Sequence, residues 1–156
     1  MQTVITPSPY EIERGKPMPS KNHAFVQGNL YFHLRSMFEQ FQVLPEISLK
    51  LGSSEKVPDL AIFKNIEFTY NEDEIRVSQI PLAVVEILSP TQNLTELLVK
   101  AHAYFDNGVQ SYWLVLPALR SIYVFSSPTE SEVYTHKDIL KDELLGIELE
   151  LKKIFG

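Results

Sequence analysis

The stretch Leu82-Ala83-Val84-Val85-Glu86-Ile87-Leu88-Ser89 constrains this chain more than any other. It is aliphatic and rich in β-branched residues, and Pro81 and Pro90 close it off at its two ends. A run that short, bounded that way, reads as a strand buried on both faces of a sheet. One carboxylate, Glu86, interrupts it. An ionised carboxylate carried into an apolar layer costs several kcal/mol unless a cation, a hydrogen-bond network or an open sheet end compensates it. A fold built around this strand must supply Glu86 with a partner.

Taken in order, the chain opens with four prolines between Met1 and Ser20 and reads there as irregular, with Tyr10-Glu11-Ile12-Glu13 a short extended piece ended by Arg14-Gly15. Ser20 or Asn22 can cap a helix running from His23 to about Phe41, whose stripe is Val26, Leu30, Leu34, Met37 and Phe41. Pro45 stops it. Glu46 to Leu51 alternates as a half-buried strand, Gly52-Ser53-Ser54 signals a turn, and Asp59 opens the apolar run Leu60-Ala61-Ile62-Phe63. Asn65 to Ser78 is acidic and reads as an exposed loop. After the central strand, Asn93-Leu94-Thr95-Glu96 has capping-box spacing, and a helical face follows through Leu97, Leu98, Ala101, Tyr104 and Phe105 to a stop at Gly108. Tyr112–Leu116 and Ser121–Phe125 read as strands joined by a turn over 117–120, Glu132–Thr135 as a third, and Ile147–Leu151 as an edge strand with a charged outer face.

That order predicts an α/β (α+β) fold, helices packed on a sheet, in one domain over residues 1–156. A net charge of −6 argues against a broad nucleic-acid or membrane surface but leaves room for a local basic groove. With no cysteine, disulfides, zinc–thiolate sites and cysteine nucleophiles are excluded. No secretory leader or spanning apolar run is visible, so the expected setting is cytoplasmic, without membrane attachment. The histidines lack HxxxH or HxH spacing, and the glycines form no phosphate loop.

Three residues make a chemical set: Asp59, Glu86 and Lys100, the last on the flank of the helix that follows the Glu86 strand. Two hard oxygen ligands and a lysine suit phosphodiester hydrolysis with magnesium or manganese, the metal activating water and the amine supporting the developing charge. Taken singly, each has an ordinary reading. Asp59 after Pro58 can be a turn residue, Lys100 a solvated helix lysine, Glu11 an exposed acid, and Trp113 and Tyr112 core side chains. Glu86 is the one that burial alone makes conspicuous.

Pro58-Asp59, Val85-Glu86-Ile87-Leu88-Ser89-Pro90, Lys100, Tyr104, Gly108-Val109 and Tyr112-Trp113-Leu114-Val115, with Tyr10 to Gly15 and His23 upstream, resemble the putative restriction endonuclease family (Uma type) of the PD-(D/E)XK nucleases. The resemblance implies a restriction-endonuclease-like mixed β-sheet core flanked by helices. It implies a magnesium or manganese site at Asp59, Glu86 and the main-chain carbonyl of Ile87, with Lys100 in the role that the superfamily usually gives to a lysine two residues after the second acid, here Leu88. It also offers Glu11 as an acid joining the catalytic set from the N-terminal segment, DNA as the partner, and a homodimer as the assembly matched to cutting two strands. Glu96 and Leu116 stand where the family commonly has Asp. The alternative is a nuclease-fold module, weak or inactive in catalysis, that binds nucleic acid or a protein, or a structural protein in which Glu86 serves only a buried network.

Overall fold

The computed structural model describes residues 6–37 and 39–156. The first residues of the irregular start, and the place of the Met37 side chain in the helical stripe, lie outside them. The strand that opens the sequence argument is β6 (Ala83–Ile87), buried at all five positions and third in a six-stranded sheet of order β1-β4-β6-β7-β8-β9. Its neighbours are β4 (Leu60–Phe63), antiparallel, and β7 (Ser111–Leu116), parallel. Beyond β7 come β8 (Ser121–Ser127) and β9 (Glu130–Thr135), both antiparallel, and at the other edge β1 (Gln42–Pro45). The sheet is therefore mixed, as expected.

Alternation along these strands divides the core in two. On one face Leu60, Ile62, Val85, Ile87, Trp113 and Val115 pack with Val26, Leu30 and Leu34 of α2 (Lys21–Met37). The hairpin of β10 (Ile139–Asp142) and β11 (Ile147–Glu150) and the short α4 (Lys152–Phe155) complete that layer. On the other face Ala61, Phe63, Val84, Tyr112 and Leu114 pack with Leu97, Ala101 and Tyr104 of α3 (Leu94–Asp106), and with the small sheet of β2 (Ser48–Leu51), β3 (Ser54–Lys56) and β5 (Arg76–Val77). Among the described residues no helix is long and apolar enough to cross a membrane.

Several local expectations are corrected. Residues 10–13 are not extended but lie in α1 (Pro9–Arg14): Ser8 and Glu11 form a reciprocal capping box, Pro9 occupies the first turn, and Gly15 ends the helix at φ 71°. The long helix stops at Met37, and Phe41 is buried beyond it, leading into edge strand β1. Pro45 ends that edge strand, where a missing N–H is tolerated. Asn93 caps α3 through the amide of Thr95, and the Glu96 half of the expected box is not made. The strand at 147–150 is an edge strand with its glutamates outward, as expected, in a two-stranded hairpin of its own.

Candidate active site

The site begins with register. β4 and β6 run antiparallel with Leu60 opposite Val85, and continuing that pairing by one residue sets Asp59 across from Glu86. Asp59 then shares parity with Ala61 and Phe63, and Glu86 with Val84, so both acids belong to the α3 face. Both are about 1% exposed. The main chain fixes the junction: the Ile87 amide donates to Asp59 Oδ2 at 2.7 Å. The carbonyl of Asp59 accepts from the amide of Glu46 at 3.2 Å and from Gln27 Nε2 at 3.0 Å.

Asp59 Oδ1 is held by two groups. Lys16 Nζ donates to it at 2.6 Å, and His23 Nε2, from the first turn of α2, lies 3.1 Å away. Burial pushes the Asp59 carboxyl up, but the His23 hydrogen bond and the Lys16 and His23 charges outweigh it, holding it at about 2 against an ordinary 3.8. Lys16 is itself buried and stands 3.6 Å from Glu46 Oε2. Arg14 grips Glu46 with Nη2, 2.6 and 2.7 Å from the two carboxylate oxygens, and closes on the carbonyl of Pro17 at 2.7 Å.

Glu86 lives differently. Oε1 accepts from the Tyr104 hydroxyl at 2.9 Å, whereas Oε2 is buried with no hydrogen-bond partner among the described residues. The nearest ion-pair partner of Oε2 is Lys100 Nζ at 3.9 Å, too long for a hydrogen bond. Burial raises the Glu86 carboxyl above its ordinary 4.5, aided by the neighbouring Asp59 charge and opposed by the Lys16 and Lys100 charges and the Tyr104 hydrogen bond. Tyr104 is in turn pushed well above 10 by burial and by Glu86, which keeps its hydroxyl a donor.

Glu86 thus meets Lys100, and Asp59 is tied to the same strand one residue further on, through the Ile87 amide. Glu11 is engaged elsewhere: its carboxylate accepts from the amides of Ser8 and Met18 at 3.1 and 2.9 Å, which makes it the reciprocal half of the α1 capping box. Leu116 is packed in the α3-side core and contributes no side-chain oxygen there. Sequence reasoning gave no site role to Lys16, Glu46 or Gln27, and none to Arg14 or His23, though both of these lie in the stretches that carry the resemblance. His23 carried a signal in the resemblance, whereas Lys16 sits in a proline-rich segment with its partner 43 positions away.

Among the described residues, no three histidine, aspartate or glutamate side chains form a ready metal cage. The donor chemistry nonetheless fits a hard divalent cation: two buried carboxylates on one face, one with an oxygen lacking any partner. Beside them a cavity of about 410 Å³ is bordered by Tyr10, Arg14, Gly15, Lys56, Arg76 and Lys100.

No curated protein matches the chain. Among solved structures it is similar to the crystal structure of a putative nuclease belonging to DUF820 from Anabaena variabilis ATCC 29413. The TM-score is 0.78 and the identity 24%, covering 89% of this chain and 83% of that one, a likeness that establishes the fold. The sequence model of Uma2, described as putative restriction endonuclease, matches residues 11–152, a span that holds every residue of the acid and lysine cluster. The chain therefore belongs to the Uma2 family of putative restriction endonucleases.

Proposed function

We propose that this nuclease-family chain hydrolyses DNA phosphodiester bonds with a divalent metal, magnesium or manganese, held by Asp59, Glu86 and the carbonyl of Ile87. The observation that carries the reading is the unpartnered Glu86 Oε2 facing Lys100 at 3.9 Å on the side of the sheet that also bears Asp59. A buried carboxylate oxygen without a donor is costly, and a bound cation relieves that cost. When bound there, the metal would activate water and neutralise charge on the phosphate.

The chain's own groups divide the remaining work. Tyr104 orients Glu86 through Oε1 and leaves Oε2 free. The Ile87 amide holds Asp59 at a set distance from the Glu86 strand. Lys100, with its side chain 20% exposed, stands between the buried acids and the cavity, where its ammonium would stabilise negative charge developing on a phosphate. Supercoiled plasmid incubated with manganese tests the proposal. Nicking by the native chain, reduced at least about 100-fold by Lys100→Ala and by Glu86→Ala, is the expected result.

A second reading draws on Asp59, whose two oxygens are both already engaged. It describes a nuclease-fold module that binds nucleic acid or a protein without cutting. Native protein that retards the plasmid across several metals and never nicks it would establish that reading instead.

A further inference from the structure

Lys16 occupies a place that a metal ion at Asp59 would need. Its ammonium lies 2.6 Å from Asp59 Oδ1 and 3.6 Å from Glu46 Oε2, and its side chain is only 4% exposed. Arg14, Lys16 and Lys100 already set three formal positive charges against three negative ones, on Glu46, Asp59 and Glu86, and His23 adds to the positive side when protonated. A divalent ion added to the cluster would bring two further positive charges beside buried carboxylates, and the departure of a resident cation would lessen that excess.

Of the three, Lys16 is the one bonded to a proposed metal-ligand oxygen, and it is carried by a segment outside any helix or strand. Gly15 turns the chain at φ 71°, and 16–20 then runs to α2 through Pro17 and Pro19 without pairing to any strand. Two of its hydrogen bonds are internal to the N-terminal segment, Arg14 to the carbonyl of Pro17 and the Met18 amide to Glu11. Among the described hydrogen bonds, the side chains that tie the 14–18 segment to the body are Arg14, through Glu46, and Lys16 itself. The cavity of about 410 Å³ runs alongside Gly15, on the Lys100 side.

Resting on the metal-site reading above, we propose that Lys16 is a tethered counter-cation that holds the Asp59 end of the site when no metal is bound, and that a divalent ion must expel it. The strap over residues 15–20 and the metal then compete for one carboxylate. Metal binding opens the strap beside Lys100, and a closed strap weakens metal affinity.

Calorimetric titration with manganese, in the absence of nucleic acid, separates this inference from the reading beneath it. Lys16→Met should bind manganese at least about tenfold more tightly than the native chain, and Lys16→Arg, which restores the charge, should return towards native affinity. Equal or weaker binding by Lys16→Met overturns the tethered cation while leaving the metal site in place. Absence of binding by the native chain and both variants overturns the metal site itself. Should Lys16→Met fail to fold, hydrogen exchange on the native chain decides: amides of residues 15–20 exchange faster on adding manganese if Lys16 is expelled. Unchanged or slower exchange there overturns the proposal.

Discussion

Glu86 and Asp59 are two carboxylates in one burial environment, pushed in opposite directions by what touches them. Asp59, held at about 2, contributes stability that is complete above its unfolded value near 3.8 and is lost as pH falls through about 2. Glu86 has the reverse sign. Its raised value means that stability is greatest below about 4.5, where the folded state binds the proton, and declines as pH rises through the folded value. Glu86→Gln removes the buried charge and keeps the acceptor for Tyr104. It should raise the thermal midpoint at pH 7 by about 2–4 °C, and the gap over the native chain should close as pH is lowered to 4. A gap that persists at pH 4 would show that the charge is not the source. Tyr104→Phe acts the other way, leaving both oxygens of Glu86 without a hydrogen bond. We expect a loss of about 1–3 kcal/mol in urea unfolding at pH 7.

The elements that position these side chains were unevenly legible in the sequence. β4 and β6 were readable because each is a short apolar run, the first preceded by Asp59 and the second broken only by Glu86, and α3 because Asn93 and Gly108 punctuate it. The helix α1 was hidden by its prolines, although Ser8, Pro9 and Glu11 are themselves the signature of a helix start. Lys16 could not be found by periodicity at all, since only tertiary folding brings it to Asp59. The hairpin of β10 and β11 shows the same gap. Its alternation was visible in 147–151, but not that Asp142 would accept from the Ser111 hydroxyl, from Trp113 Nε1 at 2.9 Å and from the Leu145 amide at 3.2 Å. That buried carboxylate joins the hairpin to β7. Asp142→Ala should cost about 2–4 kcal/mol and shift Trp113 fluorescence, because three donors lose their acceptor together. A loss below 1 kcal/mol would mean that the hairpin is held by its apolar side chains alone.

For the molecule as a whole, charge sets a limit on how it can meet a polyanion. The net charge is −6, and the cations bordering the cavity beside the site include Arg14 and Arg76, paired to Glu46 and Glu55 at 2.6 Å. Lys56 and Lys100 are the cations left to meet phosphates there. Under the nuclease reading, binding of a DNA fragment without metal should therefore depend only modestly on salt, with log Kd rising against log salt at a slope of about 2. A slope of about 6 or more would require a phosphate-binding surface elsewhere on the molecule.

The amide of Ile87 bonded to Asp59 Oδ2 has a wider meaning. It ties the spacing between the two acids to the peptide skeleton of β6, whose dimensions no substitution alters much, and not to the shape of surrounding side chains. Neighbouring strands and helices can then be rewritten over evolutionary time while the two acids keep their ruler. Under the nuclease reading, alteration of chemistry in a chain built this way should come from the strap and the cavity rim, which lie outside that ruler's reach.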